Sequence, residues 1–235
     1  MESDPTRRNE DVWVVVPCYN EGPVVRGVIE RVREHFPNVV AVDDGSRDNS
    51  AAEIVAAGAR LVQHPVNLGA GAAYQTGIDF ALRDPGAEIF VTFDADGQHQ
   101  VDDVVAMVEH LRTVDTEVLI GSRFLGSVDG MSRSRRALLK AAVVFERLTS
   151  GIALTDAHQG LRVFHRSFAR ILDMQSHDMS WASEFLARMA EHGTTYEEYP
   201  VHVMYTDYSR SKGQRSINSV NIGMDVLINK LLRGR

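Results

Sequence analysis

Short runs of apolar residues recur through the first half of the chain, and each run stops at a polar or glycine-containing turn. Runs of four or five such residues are typical of strands buried on both faces. Between them, apolar residues three and four positions apart are typical of helices that bury one face. The pattern predicts strands at 12–16, 39–42, 60–63, 89–93 and 117–120, and helices at 24–35, 48–57, 70–82 and 101–112.

Strands that alternate with helices at this spacing form a parallel sheet covered on both faces. Such sheets bind ligands at the carboxyl ends of their strands. Polar clusters follow four of the predicted strands, at residues 19–21, 43–44, 94–96 and 121–123. We therefore expect these clusters to meet at one edge of the sheet and to form a binding site there.

The second half of the chain has a less regular pattern. It predicts strands at 161–164 and 195–203, and helices at 135–149, 181–191 and 217–232. The last helix is amphipathic and basic at its end, which suits core packing, a membrane interface or a partner helix. Without an internal repeat or a linker, residues 1–235 are expected to form a single domain.

The composition suits a globular protein of 235 residues, since 44% of the residues are hydrophobic and 24% are charged. A single cysteine excludes an intramolecular disulfide. The polar N-terminus does not resemble a signal peptide, and no apolar run approaches the ~18 residues that a membrane span needs. A cytoplasmic protein, associated peripherally with the inner face of the cell membrane, is the expectation.

The net charge of −7 is unevenly distributed. Residues 122–140 contain five basic residues and one acid, and residues 209–235 contain six basic residues and one acid. Charge runs are usually solvated faces. In so acidic a chain, two basic segments also suit phosphate groups or an anionic lipid surface.

Asp94 and Asp96 follow a predicted buried strand, with Gln98 close behind. Residues two apart in extended backbone point the same way, so the carboxylates offer a hard oxygen site for Mg²⁺ or Mn²⁺. Such an ion could bridge a diphosphate and neutralise its charge as it leaves. The alternative is an exposed acidic turn. His99 lacks a second nitrogen ligand nearby in sequence, so zinc is not expected.

Asp43 and Asp44 end another predicted strand. Carboxylates at this place can accept hydrogen bonds from a ribose or a base, although a helix N-cap is the alternative. The chain has neither the glycine pattern of dinucleotide-binding folds nor the lysine-containing phosphate loop of ATPases. Neither NAD nor ATP is therefore indicated.

Five segments of the first half, in order and spacing, resemble family 2 glycosyltransferases of the GT-A fold. The resemblance implies an α/β, Rossmann-like, mostly parallel sheet with helices on both faces and a C-terminal amphipathic helix. Residues 12–123 would bind a nucleotide-sugar and residues 124–235 an acceptor. It also implies that Pro17, Tyr19, Glu21, Asp43, Asp44 and Gly69 lie at the nucleotide, and that Asp94, Asp96 and Gln98 surround the metal. The segments are 17–22, 42–46, 67–71, 93–98 and 121–123.

Two segments of the second half, 156–162 and 205–214, are similar to polyprenyl-phosphate sugar synthases. The nearer likeness is to short bacterial members, some of which make polyprenyl-phospho-N-acetylhexosamine for cell-envelope glycans. Mannose synthases commonly have Ser-Gly-Phe-Arg where residues 159–162 read Gln-Gly-Leu-Arg. This departure favours a UDP-sugar over GDP-mannose. The resemblance implies an inverting, metal-dependent transfer from the nucleotide-sugar to polyprenyl phosphate.

A lipid phosphate, with a second pKa of about 6, is largely ionised at neutral pH and can attack without a strong base. It needs cations to hold it, since Arg and Lys bind phosphate well. A saccharide hydroxyl as acceptor would instead need a general base, for which Asp156 and Glu184 are available. The candidate cations are Arg123, Arg133, Arg210 and Lys212, and the candidate catalytic residues are Asp94, Asp96, Arg123 and Asp156.

Two further possibilities concern a partner protein and a different function. Without a membrane anchor of its own, the enzyme would have reason to use a small membrane protein as a partner. A non-enzymatic receiver-like signalling module also places acids at strand ends. Its single small domain would leave over a hundred residues unexplained.

Overall fold

The computed structural model describes residues 9–176, 180–205 and 208. Within these ranges the strands are β1 (Val12–Cys18), β2 (Asn38–Asp43), β3 (Arg60–Gln63), β4 (Ile89–Thr92), β5 (Val118–Asp129), β6 (Arg162–His165) and β7 (Tyr196–Met204). They form one sheet in the order β3-β2-β1-β4-β6-β5-β7. The α/β fold with a mostly parallel sheet is confirmed.

Six helices of the described residues lie within about two residues of their predicted bounds, and one short helix, Arg166–Ala169, was not predicted. They are α1 (Val25–Arg33), α2 (Ser50–Ala56), α3 (Ala70–Ala81), α4 (Val101–Leu111), α5 (Arg133–Ser150), α6 (Arg166–Ala169) and α7 (Trp181–His192). The Ser132 hydroxyl accepts the Arg135 N–H at the start of α5, and Gly151 ends α5 in the left-handed conformation. The predicted helix at 217–232 lies outside the described residues. Among those described, no helix has both the length and the apolar character needed to cross a bilayer.

Two features of the sheet depart from the sequence expectation. β6 runs antiparallel to both of its neighbours, β4 and β5, in a sheet whose other pairs are parallel. β5 does not stop at Ile120 but continues to Asp129 alongside β7, with an irregularity in register between Ser122 and Ser127. Irregular registers of this kind re-aim side chains beside functional sites. The segment 121–123 therefore lies inside a strand rather than beyond its end.

The core has two layers, one on each face of the sheet, because successive side chains of a strand point to opposite faces. In β1, Val14 and Val16 pack with α1, α2 and α4, whereas Trp13 and Val15 pack with α3 and α7. Burial on both faces explains why β1 is apolar at every position instead of alternating. Both layers leave the carboxyl ends of the parallel strands uncovered, and the candidate site lies there.

Candidate active site

A cleft of about 370 Å³ opens at the carboxyl ends of β1, β2 and β4 and beside the bulged part of β5. The structure brings most of the residues selected from the sequence to its walls, although they come from five separate segments of the chain. The residues of that selection that line the cleft are Pro17, Tyr19, Glu21, Asp44, Gly69, Asp94, Asp96, Gln98 and Arg123.

The loops after β1 and β2 are tied together by side chains that hydrogen-bond to backbone. Asn20 adopts a left-handed φ of 53°, a conformation that Asn tolerates better than most residues. Its N–H donates to the Ser46 hydroxyl at 2.9 Å, and its side-chain oxygen accepts the Arg47 N–H at 2.9 Å. The Glu21 N–H donates to the Ser50 hydroxyl. These bonds hold the Tyr19 and Glu21 side chains at the cleft.

Asp44 organises the loop that precedes α3. Its carboxylate accepts the backbone N–H groups of Leu68 and Gly69 at 2.8 and 2.7 Å. It also accepts His64 Nδ1 at 2.7 Å, and His64 Nε2 lies 2.9 Å from the Thr76 hydroxyl. Asp44 therefore shapes the wall of the cleft, and Gly69 contributes its N–H to that carboxylate.

Asp43 lies outside this cleft, although it precedes Asp44 directly and both were expected at the nucleotide. Its carboxylate accepts the Ser46 N–H and the Gln63 side-chain amide. It lines an adjoining depression of about 330 Å³. Tyr19 and Asn67 line both cavities, so a ligand of two parts could extend from one into the other.

Asp94 and Asp96 both line the cleft, although residues 95 and 96 form a turn instead of the extended backbone expected from the sequence. Asp94 accepts the Tyr74 hydroxyl at 2.7 Å and His99 Nε2 at 2.9 Å. Burial opposes ionisation of Asp94, but the hydrogen bonds and charge supplied by His99 and Tyr74 outweigh it and lower its pKa. Burial and the negative charge of Asp94 raise the pKa of Asp96.

This pair of acids fits a divalent cation. The raised pKa of Asp96 reflects a negative charge that Asp94 repels and that a cation would neutralise. Among the described residues, no third His, Cys, Asp or Glu completes a metal-binding group. Mg²⁺ commonly takes one or two carboxylates and fills its other positions with water and phosphate oxygens. The Gln98 amide nitrogen donates to Asp96, so Gln98 would need its amide turned over to offer oxygen.

Arg123 and Asp156 form a buried ion pair at the cleft. Arg123 Nε donates to Asp156 Oδ2 at 2.6 Å, and the two side chains are 7% and 1% exposed. Arg123 also donates to the Tyr205 hydroxyl at 2.8 Å. Burial alone would lower the pKa of Arg123, but Asp156 and Tyr205 raise it. Arg123 lines the cleft and Asp156 does not, so Asp156 lies behind the arginine and orients it.

The other predicted cations have different places. Arg133, in the first turn of α5, is exposed and does not line the cleft. Arg135 lines it instead, with its guanidinium 4.7 Å from the Tyr205 ring centroid. Two helical positions differ in direction by about 200°, so Arg133 and Arg135 point to opposite sides of α5. Arg210 and Lys212 lie outside the described residues.

One contact at the cleft joins two residues that lie far apart in the sequence. The Tyr208 hydroxyl donates to Glu21 Oε2 at 2.7 Å, across 187 residues of sequence. Burial and the neighbouring Glu21 carboxylate raise the pKa of Tyr208. Tyr208, which belongs to the segment 205–214 singled out in the sequence, thus contacts the loop after β1.

Three buried side chains that support the site were not selected from the sequence. Tyr74 and His99 hold Asp94. Tyr74 has only a weak sequence signal, a polar group in an otherwise apolar stretch, and His99 was considered from the sequence only as a zinc ligand. Arg162 is completely buried, with its guanidinium 4.6 and 4.1 Å from the ring centroids of Trp181 and Phe185. Burial lowers the pKa of Arg162 to about 9, which leaves it charged at neutral pH. Glu184, the other candidate base, accepts backbone N–H groups away from the cleft.

Gly160 is required where it stands because a side chain would collide with Asp94. A Cβ at this position would lie 2.4 Å from Asp94 Oδ2. We expect Gly160→Ala to displace the carboxylate and to lower kcat by about 100-fold, the usual effect of misplacing a catalytic group by ~1 Å. Steady-state kinetics would measure it.

Gly27→Ala is the matched control for this prediction. A Cβ at Gly27, in α1, would meet only the far end of Arg31 at 3.9 Å. Alanine in a helix interior is preferred over glycine by about 1 kcal/mol, so this variant should keep full activity and gain a little stability. Equal activities of the two variants would contradict the collision.

The sequence matches a family model and several known proteins. The model described as glycosyl transferase family 2 matches residues 13–172. An uncharacterised protein of Methanocaldococcus jannaschii is 32% identical over 94% of this chain and 93% of its own length. A UDP-N-acetylglucosamine–dolichyl-phosphate N-acetylglucosaminyltransferase of Methanococcus voltae is 28% identical over 94% and 95%. A polyprenol monophosphomannose synthase of Mycolicibacterium smegmatis is 27% identical over 98% and 89%.

Solved structures resemble the fold. Glucosyl-3-phosphoglycerate synthase from Mycobacterium tuberculosis, in complex with Mn²⁺ and UDP-glucose, superposes with a TM-score of 0.66 at 20% identity, over 85% of this chain and 72% of that one. This likeness confirms the GT-A fold. The family match covers more than half of the chain and includes every strand from β1 to β6. The chain is therefore a glycosyltransferase that belongs to glycosyl transferase family 2.

Proposed function

We propose that this enzyme transfers a sugar, with inversion, from a UDP-sugar such as UDP-N-acetylhexosamine to polyprenyl phosphate, in a reaction that depends on Mg²⁺ or Mn²⁺. The observation that carries the proposal is the presence of both an acidic pair and two arginines in one cleft. Asp94 and Asp96 line it, and so do Arg123 and Arg135. A cation-bound diphosphate fits the acids, and an anionic acceptor fits the arginines.

The donor would lie along the loops that follow β1 and β2. The loop after β1, with Tyr19 and Glu21, supplies one wall, and the loop organised by Asp44 supplies another. Tyr19 is 40% exposed and borders both cavities, so it can contact a nucleotide that spans them. In this arrangement the adjoining depression beside Asp43 receives the base.

Asp94 and Asp96 would hold the metal, and Gln98 would add a ligand through its oxygen. The metal, when bound, supplies positive charge to the diphosphate as it departs. The chain's own contribution is placement. Tyr74 and His99 keep Asp94 ionised and oriented, and the absence of a side chain at Gly160 leaves that carboxylate its space.

A phosphate acceptor fits the cleft better than a sugar hydroxyl does. A hydroxyl needs a free carboxylate as general base. Within the described part of the chain, every carboxylate that lines the cleft already accepts hydrogen bonds: Glu21, Asp44, Asp94 and Asp96. Asp156 is buried against Arg123. A phosphate monoester arrives ionised and needs only cations to position it.

The names of the relatives support both the acceptor class and two possible donors. The Methanococcus voltae enzyme is named for UDP-N-acetylglucosamine and dolichyl phosphate. The Mycolicibacterium smegmatis relative is named a polyprenol monophosphomannose synthase, and one from Micrococcus luteus an undecaprenyl-phosphate mannosyltransferase. GDP-mannose is accordingly the second candidate donor. Gln159 and Leu161, which differ from the mannose synthase pattern, favour the UDP-sugar.

The test is transfer of radiolabel from each nucleotide-sugar to polyprenyl phosphate in detergent micelles with Mg²⁺ or Mn²⁺. We expect label from UDP-N-acetylglucosamine or its epimer to enter the organic phase, with transfer lost on chelation by EDTA. The product's phosphate ester should have the anomeric configuration opposite to the donor's. Label that enters the organic phase only from GDP-mannose would establish the second donor, and label confined to water-soluble glycans would overturn the acceptor.

Action on a lipid places the enzyme at a membrane surface, which agrees with peripheral association at the inner face of the cell membrane. The relatives' names give no support to a small membrane protein as partner, and it is not part of the proposal. The receiver-like signalling module is excluded by membership of glycosyl transferase family 2.

A further inference from the structure

The exposed face of α5 has an unusual composition for the surface of an acidic protein. Leu148 is 81% exposed, the largest value among the large apolar side chains of the described residues. Val144 follows at 59%, a value that Val55 on α2 equals. Ala137 and Ala141 are also exposed on α5. Four basic residues, Arg133, Arg136, Lys140 and Arg147, are exposed beside them.

These residues form two adjacent stripes. With about 100° of rotation for each residue, all eight fall within an arc of about 140°. The apolar residues occupy one half of that arc, at spacings of four, three and four, and the basic residues occupy the other half. We call this surface the α5 face, defined by Arg133, Arg136, Ala137, Lys140, Ala141, Val144, Arg147 and Leu148.

The charged side chains that α5 exposes to solvent are all basic. The only acid of α5 is Glu146, which is 3% exposed and accepts the Ser183 hydroxyl from α7. The rest of the chain is acidic, with a net charge of −7 overall. A helix with an apolar stripe beside a basic stripe is the pattern of helices that lie in the interface of an anionic membrane.

Helix α5 connects the α5 face to the cleft. Arg135, in the first turn of α5, lines the cleft and lies over the Tyr205 ring. Arg136 lies over the Phe124 ring, at 5.7 Å, which attaches the same turn to the extended end of β5. Arg135 points to the side of α5 away from the α5 face, and Val144 and Leu148 lie roughly 14 and 20 Å further along the helix.

We propose that the α5 face docks the enzyme on an anionic lipid bilayer, with Val144 and Leu148 inserted among the acyl chains and the basic stripe on the headgroups. This inference rests on the proposed function for its purpose, since docking here would bring α5, whose first turn lines the cleft, to the surface that holds a lipid phosphate. It adds which surface of the protein meets the membrane. The occupant is the bilayer itself, because its charge and its apolar interior match the two stripes.

The test is sedimentation of the purified full-length protein with vesicles of 70% phosphatidylcholine and 30% phosphatidylglycerol. Val144→Glu/Leu148→Glu should lower the partition coefficient at least tenfold, since it replaces inserted apolar side chains by acids. Lys140→Gln/Arg147→Gln should lower it by about fivefold for each charge removed, and much less on pure phosphatidylcholine. Val55→Glu is the matched control, at the same 59% exposure on α2, and should bind like the wild type.

Activity in detergent separates this proposal from the proposed function. In micelles the Val144→Glu/Leu148→Glu variant should transfer sugar to polyprenyl phosphate at the wild-type rate, because neither residue lines the cleft. Vesicle binding that is unchanged in both double variants would overturn the docking face, whatever the activity. Loss of a dimer by the variant in analytical ultracentrifugation, without loss of vesicle binding, would assign the face to a second copy of the chain. Failure of wild-type transfer would overturn the function and leave the vesicle result standing.

Discussion

Asp96→Asn should lower kcat/KM for sugar transfer by about 1000-fold or more while the protein remains folded. The substitution keeps the shape of the side chain but removes one of the two negative charges that would hold the metal. Metal-assisted neutralisation of a leaving diphosphate supplies several kcal/mol of transition-state stabilisation, which corresponds to a loss of this size. Donor binding, followed by the rise in melting temperature with UDP-sugar and Mn²⁺, should lose its dependence on metal.

Unlike its activity, the stability of the Asp96→Asn variant without metal should not decrease. Burial and Asp94 raise the pKa of Asp96, so the ionised carboxylate costs stability above that pKa, and the cost is absent at lower pH where Asp96 is protonated. Asparagine avoids this cost at neutral pH, and the melting temperature without metal should stay the same or increase. Asp102→Asn, at an exposed acid of α4, is the control and should keep full activity. Residual activity above a tenth in Asp96→Asn would contradict a metal role for this residue.

Arg123→Met should both destabilise the protein and abolish transfer. It leaves Asp156, which is 1% exposed, as a buried charge without its partner. Breaking a buried ion pair from one side costs about 3–5 kcal/mol. For a chain of this length each kcal/mol lowers the melting temperature by about 2–4 °C, so a decrease of roughly 10 °C is expected by calorimetry.

Two further variants distinguish folding from chemistry at this pair. Arg123→Met/Asp156→Leu replaces the pair by apolar groups and should recover most of the stability. It should remain inactive, because the cleft still lacks the guanidinium that Arg123 presents. Arg112→Met breaks the Arg112–Asp11 pair, which is equally short at 2.7 Å but about 31% exposed, and should cost less than 1 kcal/mol. Recovery of activity in the double variant would show that Arg123 serves the fold alone.

The strands and helices of the first half could be predicted from the sequence because local rules decide them. Residues 12–16 and 39–42 are continuous apolar runs, and a strand buried on both faces needs apolar residues at every position. The turns that end them carry polar residues, since backbone at a sheet edge must find partners. The same rules placed Asp44 at the end of β2, and Asp94 and Asp96 at the end of β4, with β1 between these two strands.

The bulge in β5 and the reversal of β6 have no such local signal. The composition of residues 162–165 does not distinguish a parallel strand from an antiparallel one. The direction of β6 therefore depends on which strands flank it. The continuation of β5 to Asp129 depends on pairing with β7, about 75 residues later in the chain. Non-local pairings of this kind are settled when the sheet assembles.

The residues of the site also divide into those that the local sequence determines and those that only the tertiary structure brings together. The sequence alone determined a resemblance to family 2 glycosyltransferases, carried by five segments in order and spacing, and an acidic pair at one strand end, because Asp94 and Asp96 lie only two positions apart. Only the tertiary structure decided that Asp156 lies behind Arg123, that Arg135 rather than Arg133 lines the cleft, and that Tyr74 and His99 hold Asp94. These partners converge because buried charges and polar groups must be paired, and the folded chain, not its local order, determines which partner is within reach.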